Sequence, residues 1–233
     1  MKILSLLLVL PSLALANVFK IYAPARLNSS LVRAYNQEVI LDIYKSLHIR
    51  AKIIYVTEEE INERLKSGDF DAVVSKIEDE KMIPNSIKIS PPLIENFSVY
   101  RYKLKETKLK TSSIVAGTIK GVLSNSKGII KNRSIFKKIK SYNTYTDLMT
   151  ALEKDEVDSI LLSPLVYKNE LDKEKANKLE QIPEELAHFS IHHYINKNQT
   201  IIVNGLRNQF KKRYREKTLL FSDFAKKYKK RLP

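Results

Sequence analysis

The chain contains no cysteine. That absence excludes disulfides, thiol nucleophiles, thiolate metal sites and a lipid anchor on a processed cysteine. The G-x-S-x-G elbow of hydrolases, the H-E-x-x-H zinc helix and the Walker phosphate loop are missing too, so no enzyme class announces itself. Past the first dozen residues, no stretch approaches the ~20 apolar residues of a membrane span. Acidic side chains are the scarce charge: 26 stand against 41 lysines and arginines, a formal net charge of +15.

What is present starts at the N-terminus. Lys2 supplies a positive charge, Ile3 to Leu10 is apolar apart from Ser5, and Pro11-Ser12 leads to Ala14-Leu15-Ala16. Charged region, apolar region and small-x-small site, in that order, are the pattern of a secretory signal. Residues 1–16 are therefore expected to be removed and the rest to be soluble in a periplasm. Without disulfides it must rest on its own core, which 233 residues at 43% hydrophobic content can supply.

A strongly basic chain attracts polyanions. Export argues against nucleic acid as the partner. Many bases also alternate with acids, as in Leu171-Asp172-Lys173-Glu174-Lys175, the look of a solvated face. The C-terminus is the exception, with Arg207, Lys211, Lys212, Arg213, Arg215 and Lys217 followed by Lys226, Lys227, Lys229, Lys230 and Arg231. Two readings stay open there: a solvated helix face over Phe210, Leu219, Leu220, Phe221 and Phe224, or a patch that docks on an anionic surface or partner.

Hydrophobic periodicity gives the element order. Phe19–Tyr22 reads as a strand. Leu31, Tyr35, Val39, Ile40, Ile43, Tyr44 and Leu47 recur at helical spacing. Ala51–Val56 is a second strand. Thr57 with Glu60 makes a capping box, Ile61 and Leu65 point the next helix inward, and Gly68 ends it. Phe70–Ser75 is a third, buried strand. Ile87–Ser90 is a short strand stopped by Pro91-Pro92, and Phe97–Tyr102 is extended. A second series follows: strand Ile114–Ile119, a loop between Gly121 and Gly128, strand Ile135–Tyr142, a helix capped by Thr146, strand Val157–Leu162 and a helix opened by Pro164. His188–Ile195 is a returning strand, and two amphipathic helices close the chain. Alternating strands and helices predict mostly parallel sheets flanked by helices.

The two series echo each other. Leu65-Lys66-Ser67-Gly68-Asp69-Phe70-Asp71-Ala72-Val73-Val74 matches Leu152-Glu153-Lys154-Asp155-Glu156-Val157-Asp158-Ser159-Ile160-Leu161. Either the chain has two lobes of like build, or two helix-to-strand joints resemble each other by chance.

These joints, the run Ile87-Lys88-Ile89-Ser90-Pro91-Pro92-Leu93, the segment Val115-Ala116-Gly117 to Gly121-Val122 and the returning Ile191-His192-His193-Tyr194-Ile195 stand in an order that resembles the family 3 extracellular solute-binding proteins. The resemblance implies the type II periplasmic-binding fold: two α/β lobes, each a mostly parallel sheet, joined by crossing strands near 97–103 and 188–195. The division it implies is 17–100 plus 193–233 for the first lobe and 101–192 for the second. It implies a small-molecule ligand in the interlobe cleft, a membrane transporter or sensor as partner, a monomer, and no catalysis or cofactor. The amino-acid binders of that family carry an arginine after the third strand and an acid after the second-lobe strand. Here those places read Ser75-Lys76-Ile77-Glu78 and Ser163-Pro164, so zwitterionic amino-acid binding draws no support.

Ligands of open α/β sheets sit beyond the carboxyl ends of strands. That rule selects Ser75, Lys76 and Ser163. Lys76 is either a point charge for an anionic group or an ordinary loop lysine. Ser90 either donates to a ligand or caps the turn before Pro91. Ser124 and Asn125 either hold an anion at a helix start or simply cap it. Tyr22 either stacks on a ligand or packs in the core. His188, His192 and His193 suggest a metal only weakly, because no carboxylate completes a set.

Overall fold

A computed structural model describes residues 18–25, 30–77, 83–120, 130, 133–169, 171 and 173–229. The signal-like N-terminus lies outside them. Among the described residues, no helix is long and apolar enough to cross a membrane.

Eight strands form one curled sheet in the order β2-β1-β3-β8-β4-β7-β5-β6. At one end, β1 (Phe19–Pro24) runs parallel to β2 (Ala51–Val56) and to β3 (Ala72–Ile77). At the other, β5 (Ile114–Ile119) runs parallel to β6 (Phe136–Tyr142) and to β7 (Ser159–Leu162). Between them lie two long antiparallel strands, β4 (Ser86–Leu104) and β8 (Leu179–Asn196). The first lobe is β1–β3 with one half of that ribbon, and the second is β5–β7 with the other half.

Helices cover the sheet. In the first lobe, α1 (Ser30–Tyr35) passes through a π-helical stretch, Asn36–Leu41, into α2 (Asp42–Ser46). Its buried stripe meets α7 (Thr200–Arg215) and α8 (Phe221–Lys229) around Ile40, Ile43, Tyr44, Leu206 and Phe210. The other face of that sheet packs on α3 (Glu58–Ser67) through Ile61, Leu65, Phe70 and Val73. In the second lobe α4 (Tyr145–Glu153) seats Leu148, Met149 and Leu152 on β5 and β7. There a Cβ on Gly117 would stand 2.6 Å from Leu148, so glycine sets the helix-to-sheet distance. The short α5 (Pro164–Asn169) and α6 (Lys173–Asn177) precede β8.

Several local expectations need correction. The Pro91-Pro92 pair does not stop a strand; β4 runs straight through it. Its register with β8 matches up to Ile89↔His193 and resumes at Ile94↔Ile191, so five steps on β4 oppose two on β8. The prolines occupy the bulge, where no ladder amide is required, and a cis bond joins Ser90 to Pro91. Pro183 sits in a similar irregularity of β8, between Gln181 and Glu185, and this hid the strand's first half from sequence patterning. Thr57 does cap α3 through the Glu60 amide, but the Glu60 carboxylate turns forward to Arg64, 2.8 Å away, instead of back to the cap. The cap of α4 is Thr144, which accepts from the Asp147 amide, and not Thr146.

The sequence echo is a real structural repeat. Gly68 and Asp155 both take a left-handed backbone, at φ 79° and 56°. Three residues on, Asp71 accepts from the Lys20 amide of β1 at 2.8 Å, and Asp158 accepts from the Val115 amide of β5 at 2.8 Å. Each carboxylate thus ties the entry of the strand beside the ribbon, β3 or β7, to the start of its lobe's central strand. Asp71 also accepts from Gln199, and Asp158 from Lys110 at 2.5 Å. Burial pushes the Asp158 carboxyl up, but the bonds from Lys110 and the Val115 amide outweigh it, so its pKa lies below the ordinary value.

Asp71→Ala and Asp158→Ala should each lower unfolding stability by about 1–3 kcal/mol, the usual cost of stranding a strand amide and losing a charge-assisted bond. Urea denaturation measures this, and losses of a few tenths would show that water replaces the carboxylate. Because the folded pKa of Asp158 is depressed, its contribution is present above the unfolded carboxylate pKa and disappears as the pH falls through the folded value.

Candidate functional site

Strand directions locate the site. In the first lobe β8 is antiparallel to β3, and β4 is antiparallel to β8. Hence β4 leaves that lobe in the direction of β1 and β3, at their carboxyl ends. In the second lobe β7 is antiparallel to β4, and β5 is parallel to β7. Hence β4 enters it at the carboxyl ends of β5 and β7. The carboxyl edges of both parallel sheets therefore converge on the place where the ribbon crosses, which is where α/β sheets bind ligands.

The crossing itself is apolar and tight. Phe97 and Phe189 face each other across the ribbon with stacked rings, centroids 5.0 Å apart. Ser190 donates from its hydroxyl to the Glu95 carbonyl at 2.9 Å, and the Tyr214 hydroxyl of α7 donates to the Glu95 carboxylate. Two side chains, Ile94 and Leu165, pack against the cores of both lobes. Neither was singled out in the sequence. Leu165 was within reach, since Pro164 marks the helix start and places Leu165 one residue into it at a strand's carboxyl end.

The sequence-selected residues fall in four places. Ser163, Lys76 and Ser75 stand at the expected strand ends. Ser163 is 3% exposed; its hydroxyl accepts from the Leu165 amide at 3.2 Å and so caps α5. Its own hydrogen has no acceptor among the described residues. The Lys76 ammonium lies 2.8 Å from Glu58 and 3.0 Å from Asn62 Oδ1, both on α3. Two of its three hydrogens are thereby used, and the third has no acceptor among the described residues. Ser75 lies in β3 where the register with β8 slips between Val73 and Lys76. Ser90, exposed, opens the β4 bulge. Tyr22 departs from the cleft reading: it is 3% exposed, packed with Ile61, Leu65 and Tyr194, with the Arg64 guanidinium over its ring at 4.5 Å. It is a core residue of the first lobe. Ser124 and Asn125 lie outside the described residues.

The three histidines of β8 stand in different surroundings. His193 is fully buried between Tyr44 and Phe210. Its Nδ1 stands 3.2 Å from the Val74 carbonyl, which can only accept, so Nδ1 carries the proton. Nε2 then accepts from the Tyr44 hydroxyl at 2.7 Å. Both ring nitrogens are used, and burial lowers the His193 pKa to about 4. His192 faces the Ile89 carbonyl at 3.1 Å, and His188 lies 3.2 Å from the Ser98 hydroxyl. Among the described residues no group of three potential ligands is placed to hold a metal ion.

No protein-family model matches the chain, and no curated protein matches it. Solved structures do. The structure of Tv2483 bound to L-arginine aligns over 91% of this chain and 90% of its own at TM-score 0.72 and 14% identity. A histidine kinase sensor domain with similarity to periplasmic binding proteins aligns over 91% and 95% at TM-score 0.71 and 12% identity. An arginine third transport system periplasmic binding protein from Legionella pneumophila aligns over 91% and 99% at TM-score 0.65 and 16% identity. The fold is that of the type II periplasmic-binding proteins, carried by a sequence far from theirs.

The burial of His193 makes stability fall in acid. Its folded pKa lies below the unfolded value of 6.5, so the unfolded chain binds the proton first. Its contribution is present above pH 6.5 and is lost as the pH drops toward 4, by about 3 kcal/mol in all. Denaturation midpoints across that range should show the slope, and His193→Gln should flatten it while lowering the plateau; an equal slope in both proteins would assign it to another group.

Proposed function

We propose that the chain is an exported, non-enzymatic solute-binding protein that closes its two lobes on a small ligand rich in acceptor oxygens, an anion in the first instance. The observation that carries the reading is the convergence of both carboxyl edges on the ribbon crossing, and the fold shared with the L-arginine-bound structure and the sensor domain supports it. The unspent polar hydrogens support the ligand's chemistry. Among the described residues, one N–H of Lys76 in the first lobe and the hydroxyl hydrogen of Ser163 in the second have no acceptor. No carboxylate follows β7, where Ser163-Pro164-Leu165 stands, so a ligand ammonium would find no partner there. The lobes divide, on this reading, at 17–100 plus 193–233 and 101–192, with the hinge at Ile94–Phe97 and Phe189–Ile191. A membrane transporter or a sensor in the periplasm would receive the closed form.

A second reading is an interaction scaffold whose cleft no longer takes a solute. Leu165, wedged between the two cores, favours it. Ligand screening separates the two.

Thermal-shift screening against organic acids, phosphorylated metabolites, sugars and acidic, neutral and basic amino acids should give a saturable rise with one class. At a hundredfold excess over Kd the gain is about 2.7 kcal/mol. Lys76→Ala should then abolish most of that gain. A response to basic compounds alone would reverse the ligand's sign, with Glu78, Asp79 and Glu80, which follow β3 in the sequence, as the next residues to change. No response to any class would leave the scaffold.

A further inference from the structure

The helix α7 contains no acidic residue. Its inner face, Val203, Leu206 and Phe210, is buried in the first-lobe core. One of its five bases, Arg213, is spent on Asp42. The other four, Arg207, Lys211, Lys212 and Arg215, are exposed and have no ion-pair partner among the described residues. On the same outer face, Ile201 is 95% exposed. Ile201, Asn208, Lys212 and Arg215 follow at intervals of seven, four and three residues, which keeps them on one side of the helix. Asn208, Lys211, Lys212, Arg215 and Glu216 line an open depression of about 360 Å³.

We propose that this face of α7 docks the protein on an anionic lipid bilayer, the cations meeting lipid phosphates and Ile201 entering the headgroup boundary. The choice of a bilayer over a soluble polyanion rests on Ile201. A dissolved polymer offers an exposed isoleucine nothing, whereas a membrane interface rewards an apolar side chain beside cations. Core-packed as it is, α7 would lie on the surface as a rigid part of the first lobe and need not fold on arrival. Each cation near such a surface strengthens partition by about fivefold, and the attraction is screened beyond about 8 Å at physiological salt.

The test is sedimentation of the full chain with vesicles of phosphatidylcholine alone and of phosphatidylcholine mixed with an equal part of phosphatidylglycerol. Binding should need the anionic lipid and weaken with salt. The variant K211Q/K212Q/R215Q should lose partition on the order of a hundredfold, while a control of equal charge, K105Q/K137Q/K138Q, should lose far less. Ile201→Ser should weaken binding without changing its salt slope. Equal losses in the two triple variants, equal binding to neutral vesicles, or tight binding to soluble polyphosphate with none to vesicles would each overturn the proposal. Circular dichroism of each variant checks that α7 remains folded, and the solvent-facing positions of all seven substitutions make that the expected result.

Discussion

The β4–β8 ribbon is the constraint on which the molecule depends. Each strand borders a parallel sheet in one lobe and is built into the other. Neither parallel sheet could keep its inner edge covered if the ribbon separated. The ribbon also fixes orientation: because β4 leaves one sheet and enters the other at carboxyl ends, the two sheets must present those ends to each other. The cleft is a consequence of strand direction before any side chain is considered. At the crossing, the Phe97–Phe189 stack and the Ser190-to-Glu95 bond hold the strands while the register slips on both sides. A ribbon with register breaks at its middle has fewer ladder bonds to resist bending, which suits a hinge.

The lobes hang from that ribbon by a repeated joint. A helix ends in a left-handed residue, an aspartate follows three positions later, and its carboxylate holds the first amides of the neighbouring central strand. The left-handed residue is glycine in one copy and aspartate in the other, and both tolerate the conformation better than most residues do. The same physical need, an unpaired amide where a parallel strand begins beside an incoming one, met the same solution twice.

Local chemistry made much of this legible. The capping Thr57, the left-handed Gly68, Pro164 opening α5 and the two aspartates all act within a few residues or through a repeated spacing, so one sequence exposes them. The ribbon's full length was not legible. Pro91, Pro92 and Pro183 speak against a strand locally, and only the partner strand reveals that each lies where the ladder is already broken. Tyr22 fails for the same reason: an aromatic at a strand's carboxyl end fits a cleft or a core equally well, and Arg64, forty-two residues on, decides for the core. Leu165 was overlooked because an apolar residue in a helix's first turn draws no notice until two cores are seen to share it.

On the proposed reading, Lys76 bears most on what the cleft would hold. Glu58 already balances its charge, and Glu58 is itself only 9% exposed. An anion that pulled the ammonium away would take a close ion-pair partner from a nearly buried carboxylate, a loss that ordinarily costs several kcal/mol. A ligand compatible with this site must therefore approach the remaining N–H and leave the Lys76–Glu58 pair intact. It would experience a hydrogen-bond donor in a locally balanced environment more than a bare positive charge. The net charge of +15 does not set the ligand's sign in such a site. Four cations of that excess, without an ion-pair partner among the described residues, are exposed on α7, away from the strand ends where Lys76 and Ser163 stand.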